Sequence, residues 1–382
     1  MPGNKYYFSE YNRDQKIFIA KSQNSEKRDL LISCDLDFDG IKFNKNINEY
    51  EVGLYINPYL NAQNDVFTLQ DYDLERIIGY IFPLNALIED SYLEVEEQNV
   101  NNKNNIKNKE YIKAYKFYSY KFLLTEFEIN NPEKLDQDKL LLSDIYDDKI
   151  IVVIIYKPLI ESGNNVLKLY NPSLALHGYY NYTNNLSFYN YIQEHSVILE
   201  STIQNHYLKY RGKSNIKIKK CNDKVLADPI IDLLYNKFLP IADNSLYRFL
   251  LLYQFIEHFI DLHFRTELSK LLVEIKSLTA YEIFDELVEL KKERKRINQI
   301  LNNISFDDKS VIENLLKRFI TNFKSDYKKN TLGDYFYDIR NLLVHNYKKI
   351  LEKDAEIESL PIIILLEIVI HNLILEKKFT TT

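Results

Sequence analysis

Between Ile241 and Thr382 the sequence contains one glycine, Gly333, and one proline, Pro361. Tight turns that need positive φ draw on glycine, and proline punctuates strands and loops. A sandwich or barrel of short strands needs such residues roughly every 8–12 positions. A region this poor in both must be built from long, uninterrupted elements. Its apolar residues recur at helical spacing, most clearly in SLYRFLLLYQFIEHFIDLHFRTELSKLL (245–272). There Gln254, Glu257, Asp261 and Arg265 fall on one polar stripe at i, i+3, i+7 and i+11. Further helices are expected over 279–302, 308–328, 331–350 and 355–376. Thr331 and Asp334 have the spacing of a capping box. The region reads as a bundle of four or five helices, reached through DPIIDLLYNKFLP (228–240).

Before about residue 225 the pattern is different. KIFIA (16–20), DLLIS (29–33), YEVGLYI (50–56), KIIVVIIY (149–156) and VLKLY (166–170) are rich in β-branched and aromatic residues and read as strands. NNKNNIKNK (101–109), NNPEK (130–134) and ESGNN (161–165) read as loops. Some helix is expected around Tyr72–Leu87. The expected fold is therefore α+β: a mainly β domain over 1–225 and an all-α bundle over 226–382.

Several function classes are disfavoured. Cys34 and Cys221 are the two cysteines, too few for a disulfide framework, so a reducing cytoplasm is expected. MPGNKYYFSEYNR lacks a basic stretch followed by an apolar one, so no secretory leader is expected. The apolar runs 150–156 and 361–370 are too short to span a bilayer, and Glu367 interrupts the second, so no membrane association is expected. DLDFDG (35–40) resembles the start of a calcium loop, but Asn46 stands where a bidentate carboxylate belongs. No histidine pattern with metal spacing, phosphate-binding loop, dinucleotide fingerprint or nucleophile elbow occurs. No cofactor or metal is expected. The net charge is −6, yet Lys291–Lys329 holds eleven basic and five acidic residues, a local +6 suited to nucleic acid. A solvated helix surface accounts for it equally well.

One stretch stands out, YDIRNLLVHNY (337–347), where an apolar helical run carries Arg340, Asn341 and His345. At about 100° per residue, Phe336, Ile339 and Leu343 share the side that faces the core. Asp338, Asn341 and His345 share a second face, and Arg340 shares a neighbouring stripe with Tyr347. The polar residues are grouped beside the core face.

Arg340-Asn341-Leu342-Leu343-Val344-His345 resembles the Arg-x(4–6)-His signature of HEPN-domain ribonucleases, helical bundles with that motif near the start of a late helix. Asn directly after Arg is common in that family. The continuation to Tyr347 is similar to HepT-type toxins, where the tyrosine is a target of neutralising modification. YRFLLLYQFIEHF (247–259), with Glu257, resembles the aromatic-rich opening helix of ApeA-like HEPN proteins of phage defence, which also carry a large β-rich N-terminal domain. The resemblance covers about 228–382.

It implies a metal-independent endoribonuclease in antiphage defence or abortive infection, acting on RNA as a homodimer through the C-terminal bundle. His345 would exchange protons with the 2′-OH and the leaving oxygen, Arg340 would clamp the phosphate, and Asn341 would orient one of them. Glu257, Asp338 and Tyr347 would support the site. The N-terminal domain would sense a phage trigger or answer to an antitoxin. Two alternatives stay open: a HEPN-like dimerisation or RNA-binding module without catalysis, and a CRISPR accessory ribonuclease.

Overall fold

The computed structural model describes residues 4–24, 27–34, 36, 38, 47–59, 66–88, 105–129, 137–160, 165–182, 190, 192–193, 215–242, 245–302, 309–346, 348 and 359–376. The fold is α+β, with strands concentrated in the N-terminal part and helices in the C-terminal part. Two compact units are present. One holds 1–168, 180–183 and 210–218; the other holds 169–179, 184–209 and 219–382. The passage is thus not one cut at 225. The chain enters the second unit early, returns twice to add strands to the first, and stays in the second from Lys219.

The strands of the first unit are β1 (Asn4–Asn12), β2 (Ile17–Ser22), β3 (Leu30–Ser33), β4 (Tyr50–Ile56), β5 (Phe67–Asp71), β6 (Arg76–Pro83), β7 (Phe127–Ile129), β8 (Ile151–Tyr156), β9 (Tyr180–Asn181) and β10 (Asn215–Ile218). They form a four-stranded sheet, order β3-β2-β1-β7, and a six-stranded sheet, order β10-β5-β6-β8-β4-β9. All pairings are antiparallel except β10 with β5. β8 is central, and every residue from Ile151 to Ile155 is buried, as a strand covered on both faces requires. Phe18 of β2 stacks on Tyr120 at 5.0 Å, and Tyr50 of β4 stacks on Tyr118 at 4.2 Å. Both tyrosines belong to one helix, whose aromatic residues join the core of the two sheets. Leu36 and Phe38 are buried in that core; Asp35, Asp37, Asp39 and Asn46 lie outside the described residues.

The helices of this part are α1 (Leu84–Ile88), α2 (Asn105–Leu123), α3 (Leu142–Ile145) and α4 (Val166–Leu176). Three expectations are corrected here. Arg76–Pro83 is a strand, and only Leu84–Ile88 is helical in the stretch expected to hold a helix. Asn105–Lys109, expected as loop, is the first turn of α2. VLKLY is the start of α4, not a strand. The cause is a tertiary cap: the Glu51 carboxylate accepts from the backbone N–H of Val166 at 2.6 Å and of Leu167 at 3.2 Å, and Asn165 turns the chain at φ 64°.

The second unit continues with α5 (Asp223–Leu226), α6 (Pro229–Leu233), α7 (Ser245–Glu274), α8 (Ala280–Lys291), α9 (Glu293–Asn302), α10 (Lys309–Thr321), α11 (Leu332–His345) and α12 (Ser359–Leu375). Asp228 caps α6, accepting from Ile230 N and Ile231 N, and Pro229 follows it. The region expected as one helix over 279–302 is two, because Lys292 turns extended at φ −71°, ψ 100°. The helix expected over 308–328 stops at Thr321, since the side chains of Lys324, Tyr327 and Lys329 turn to Asp338 of α11. α12 is apolar nearly all round and buried from Leu360 to His371. Its Glu367 carboxylate takes two bonds from Arg248 of α7, at 2.7 and 3.1 Å. Both residues are buried, and Arg248 also donates to the carbonyls of Leu239 and Ala242.

Cys34 and Cys221 are free thiols. Among the described residues no helix is long and apolar enough to cross a membrane, and no group of three His, Cys, Asp or Glu is placed to hold a metal ion.

Candidate active site

The site residues lie on α11, whose position is fixed at its first turn. The Thr331 hydroxyl accepts from Asp334 N at 3.2 Å, as the spacing implies. Gly333 follows at a crossing with α9. A Cβ there would lie 2.8 Å from the backbone N and Cα of Asn298. The one glycine after Ile241 is thus needed for close approach and not for a turn. Beyond it, Phe336, Ile339 and Leu343 are buried, as the helical spacing requires.

Arg340 is turned toward α7. Its Nη1 donates to Asn341 Oδ1 at 3.1 Å, and its Nη2 stands 3.7 Å from Glu257 Oε1. The guanidinium lies over the Tyr253 ring, 5.5 Å from its centroid. Glu257 also accepts from Gln254 Nε2 at 2.8 Å. Tyr253 is buried, and its hydroxyl reaches Glu293 at 3.5 Å. Burial and the charge of Glu293 raise the tyrosine pKa against the opposing charge of Arg340. Side-chain exposure is 23% for Arg340 and 39% for Glu257, so this pair faces solvent.

His345 is the last residue of α11 and is exposed. Among the described residues its ring has no hydrogen bond or ion pair. The helix ends at Asn346, whose N–H bonds to Leu342 O at 3.0 Å and whose side chain donates to Asn341 O at 3.2 Å. Of the helix expected over 331–350, Leu332–His345 is observed, and 347, 349 and 350 lie outside the described residues. His345 stands five positions after Arg340, which sets them about 140° apart around the axis, with Asn341 between them. Tyr347 lies outside the described residues.

Asp338 is not part of the Arg340 group. It is buried, and its carboxylate accepts from Arg294 Nη2, Lys329 Nζ and the Tyr327 hydroxyl at 3.0 Å each and from Lys324 Nζ at 3.2 Å. Burial works against its ionisation. The bonds from Lys329, Tyr327 and Lys324 and the charge of Arg294 outweigh burial and hold its pKa below the usual carboxylate value.

The structure thus brings together Arg340, Asn341 and Glu257, leaves His345 open on the same helix, and puts Asp338 in a second cluster. Sequence reasoning missed Tyr253 and Glu293, and with them Arg294, Lys324, Tyr327 and Lys329. Tyr253 had a signal, since it stands four residues before Glu257 on the same helix. The others sit on separate elements. Comparison of the chain with family models, curated proteins and solved structures finds no match.

Proposed function

We propose that the chain is a cytoplasmic, metal-independent endoribonuclease of the HEPN type, acting in antiphage defence or abortive infection. The observation that carries this reading is the disposition of α11: Arg340 held by Asn341 and Glu257 at the surface, with the His345 imidazole open to solvent. RNA brings its own nucleophile. The 2′-OH attacks the adjacent phosphorus and the P–O5′ bond breaks. His345 of one copy takes the hydroxyl proton or donates one to the departing 5′-oxygen. Arg340 stabilises the charge that builds on the non-bridging oxygens, using guanidinium donors beyond those directed at Asn341 and Glu257. The products are a 2′,3′-cyclic phosphate and a 5′-hydroxyl. An angular separation of about 140° keeps Arg340 and His345 of one helix apart. Two copies facing each other through the helical unit would supply complementary halves of one site. The β-rich unit would hold the nuclease until a phage trigger or the loss of an antitoxin releases it.

A second reading rests on one observation: the Arg340 guanidinium already has partners, as in a polar seam. In that case the helical unit pairs copies or binds RNA without cutting it.

The two readings separate on His345→Ala and Arg340→Ala. For the nuclease, each variant loses on the order of 10²–10⁴-fold in cleavage rate while remaining folded. Cleavage persists in EDTA, and DNA of the same sequence is not cut because it lacks the 2′-OH. Val344→Ala, at an exposed neighbour, serves as the control. Full cleavage and toxicity in His345→Ala would remove the proposal.

A further inference from the structure

The Asp338 cluster has more positive charge than a buried carboxylate needs. One cation neutralises a carboxylate; Asp338 fills its roughly four acceptor sites with three cations and a tyrosine hydroxyl. Its cationic partners are not buried with it. Side-chain exposure is 48% for Lys324, 39% for Lys329 and 35% for Arg294. Each ammonium has three donors, so those left over from Asp338 are available to a ligand. Lysine side chains normally sweep through solvent. These two are held in place before any ligand arrives, which is the condition for tight anion binding.

The surroundings add to this. A pocket of about 510 Å³ opens beside Asp338, lined among others by Phe323, Lys324, Tyr327, Lys328 and Lys329. It is an open depression on the surface, so a group seated in it keeps one side in solvent. Lys317 anchors the far end of the same segment through Asn330 at 3.0 Å. The pocket lining holds three cations, Lys324, Lys328 and Lys329, against Asp326 and Asp338. The excess is positive, and two aromatic rings interleave with it. The Tyr327 ring is held by its hydroxyl on Asp338 and by a tilted contact with Tyr335, ring centroids 5.8 Å apart. Cations beside an oriented aromatic ring are the combination that seats an unpaired nucleotide, phosphate on the cations and base on the ring. In a duplex the base is stacked away and no ring reaches it.

Position on α11 ties this pocket to the proposed chemistry. Asp338 precedes His345 by seven residues, so the two project within about 20° of each other and about 10 Å apart along the axis. The helix thereby fixes the separation between the edge of the pocket and His345.

We infer that the Asp338 pocket seats one unpaired nucleotide of the RNA, its phosphate on Lys324, Lys328 and Lys329 and its base against Tyr327, so that the strand is presented to His345 from a fixed distance. This rests on the nuclease reading and adds to it a binding subsite away from Arg340 and His345, which would set the cut a short way from the seated nucleotide.

The test is binding of a fluorescein-labelled oligouridine to the full chain carrying His345→Ala, measured by anisotropy over a range of salt. Adding Lys324→Ala, Lys328→Ala and Lys329→Ala should weaken binding tenfold or more. It should also flatten the dependence of log K on log salt by at least about 0.7, the single-strand value for one phosphate contact. Removing Lys324 and Lys329 strips Asp338 of partners and can loosen the fold, so Lys328→Glu is measured as well. It leaves every bond to Asp338 in place and should weaken binding in the same direction. A blunt RNA duplex should bind more weakly than the single strand. Unchanged affinity and slope in Lys328→Glu, or a duplex bound equally well, overturns the inference, while cleavage by the parent and its loss in His345→Ala still support the nuclease. Binding that depends on the lysines in a chain that cuts nothing supports the pocket and removes the nuclease.

Discussion

Helix α7 carries two arginine–glutamate pairs nine residues apart, and they are opposites. Arg248 meets Glu367 of α12 with both side chains buried, two contacts at 2.7 and 3.1 Å, and spare donors on backbone carbonyls. Glu257 meets Arg340 of α11 once, at 3.7 Å, in partial solvent. The first guanidinium is satisfied by the protein; the second is not. Taking two charges out of water costs several kcal/mol per ion, roughly repaid only when geometry and further hydrogen bonds are good. The closed pair therefore specifies how α7, α12 and the 239–242 segment meet. The open pair is weak as a structural contact, and its cation stays available to an anion.

The largest effect should follow from removing one member of the closed pair. Glu367→Ala leaves Arg248 buried without its counter-charge and should cost about 3–5 kcal/mol in urea unfolding. The double replacement Arg248→Met with Glu367→Leu should recover most of that. If Glu367→Ala costs under about 1 kcal/mol, the two pairs do not differ in the way described.

Acid should act on the closed pair next. His371 lies one turn after Glu367, fully buried, with its ring edge-on to Tyr235 at 5.7 Å. Burial pushes its pKa from 6.5 down to about 4, the charge of Arg248 adding to this and that of Glu367 opposing it. The unfolded chain then takes up a proton below about pH 6.5 that the folded protein refuses until about pH 4. Stability should fall across that window as pH falls, by on the order of 3 kcal/mol. Denaturation followed from pH 7 to 4 should show this slope, and His371→Phe should flatten it. A slope unaltered by His371→Phe would assign the acid sensitivity elsewhere.

The smallest effect belongs to the open pair. Glu257→Ala should change stability by about 0–1 kcal/mol, and added salt should shrink the difference further. A loss as large as that of Glu367→Ala would make Arg340 a second structural arginine and favour the polar-seam reading.

What was legible in the sequence follows the range of the interactions. The polar stripe of α7, the Thr331 cap and the buried face of α11 depend on residues within a few positions, and each was readable from spacing. The grouping of Arg340 with Glu257 was not readable as contact, because it joins helices 83 positions apart, although both residues were candidates on other grounds. Asp338 was placed on the face of His345, and its real partners, nine to 44 positions away, were invisible. Glu367 showed in the sequence only as an interruption of an apolar run. Its meaning lies 119 positions away, in Arg248. α4 failed for the same reason: its residue types favour a strand, and a carboxylate over 100 positions away decides otherwise.

That cap on α4 also constrains the order in which the chain folds. Helix initiation is the costly step, since the first turn fixes several residues for one bond. Here the bonds that offset it come from Glu51, in the middle of β4. Left to itself, VLKLY prefers an extended backbone. α4 is therefore expected to form only once β4 has been positioned, the segment that first leaves one compact unit for the other waiting on the sheet behind it. Glu51→Gln should then lower the protection of the α4 amides against hydrogen exchange while those of β4 and β8 keep theirs.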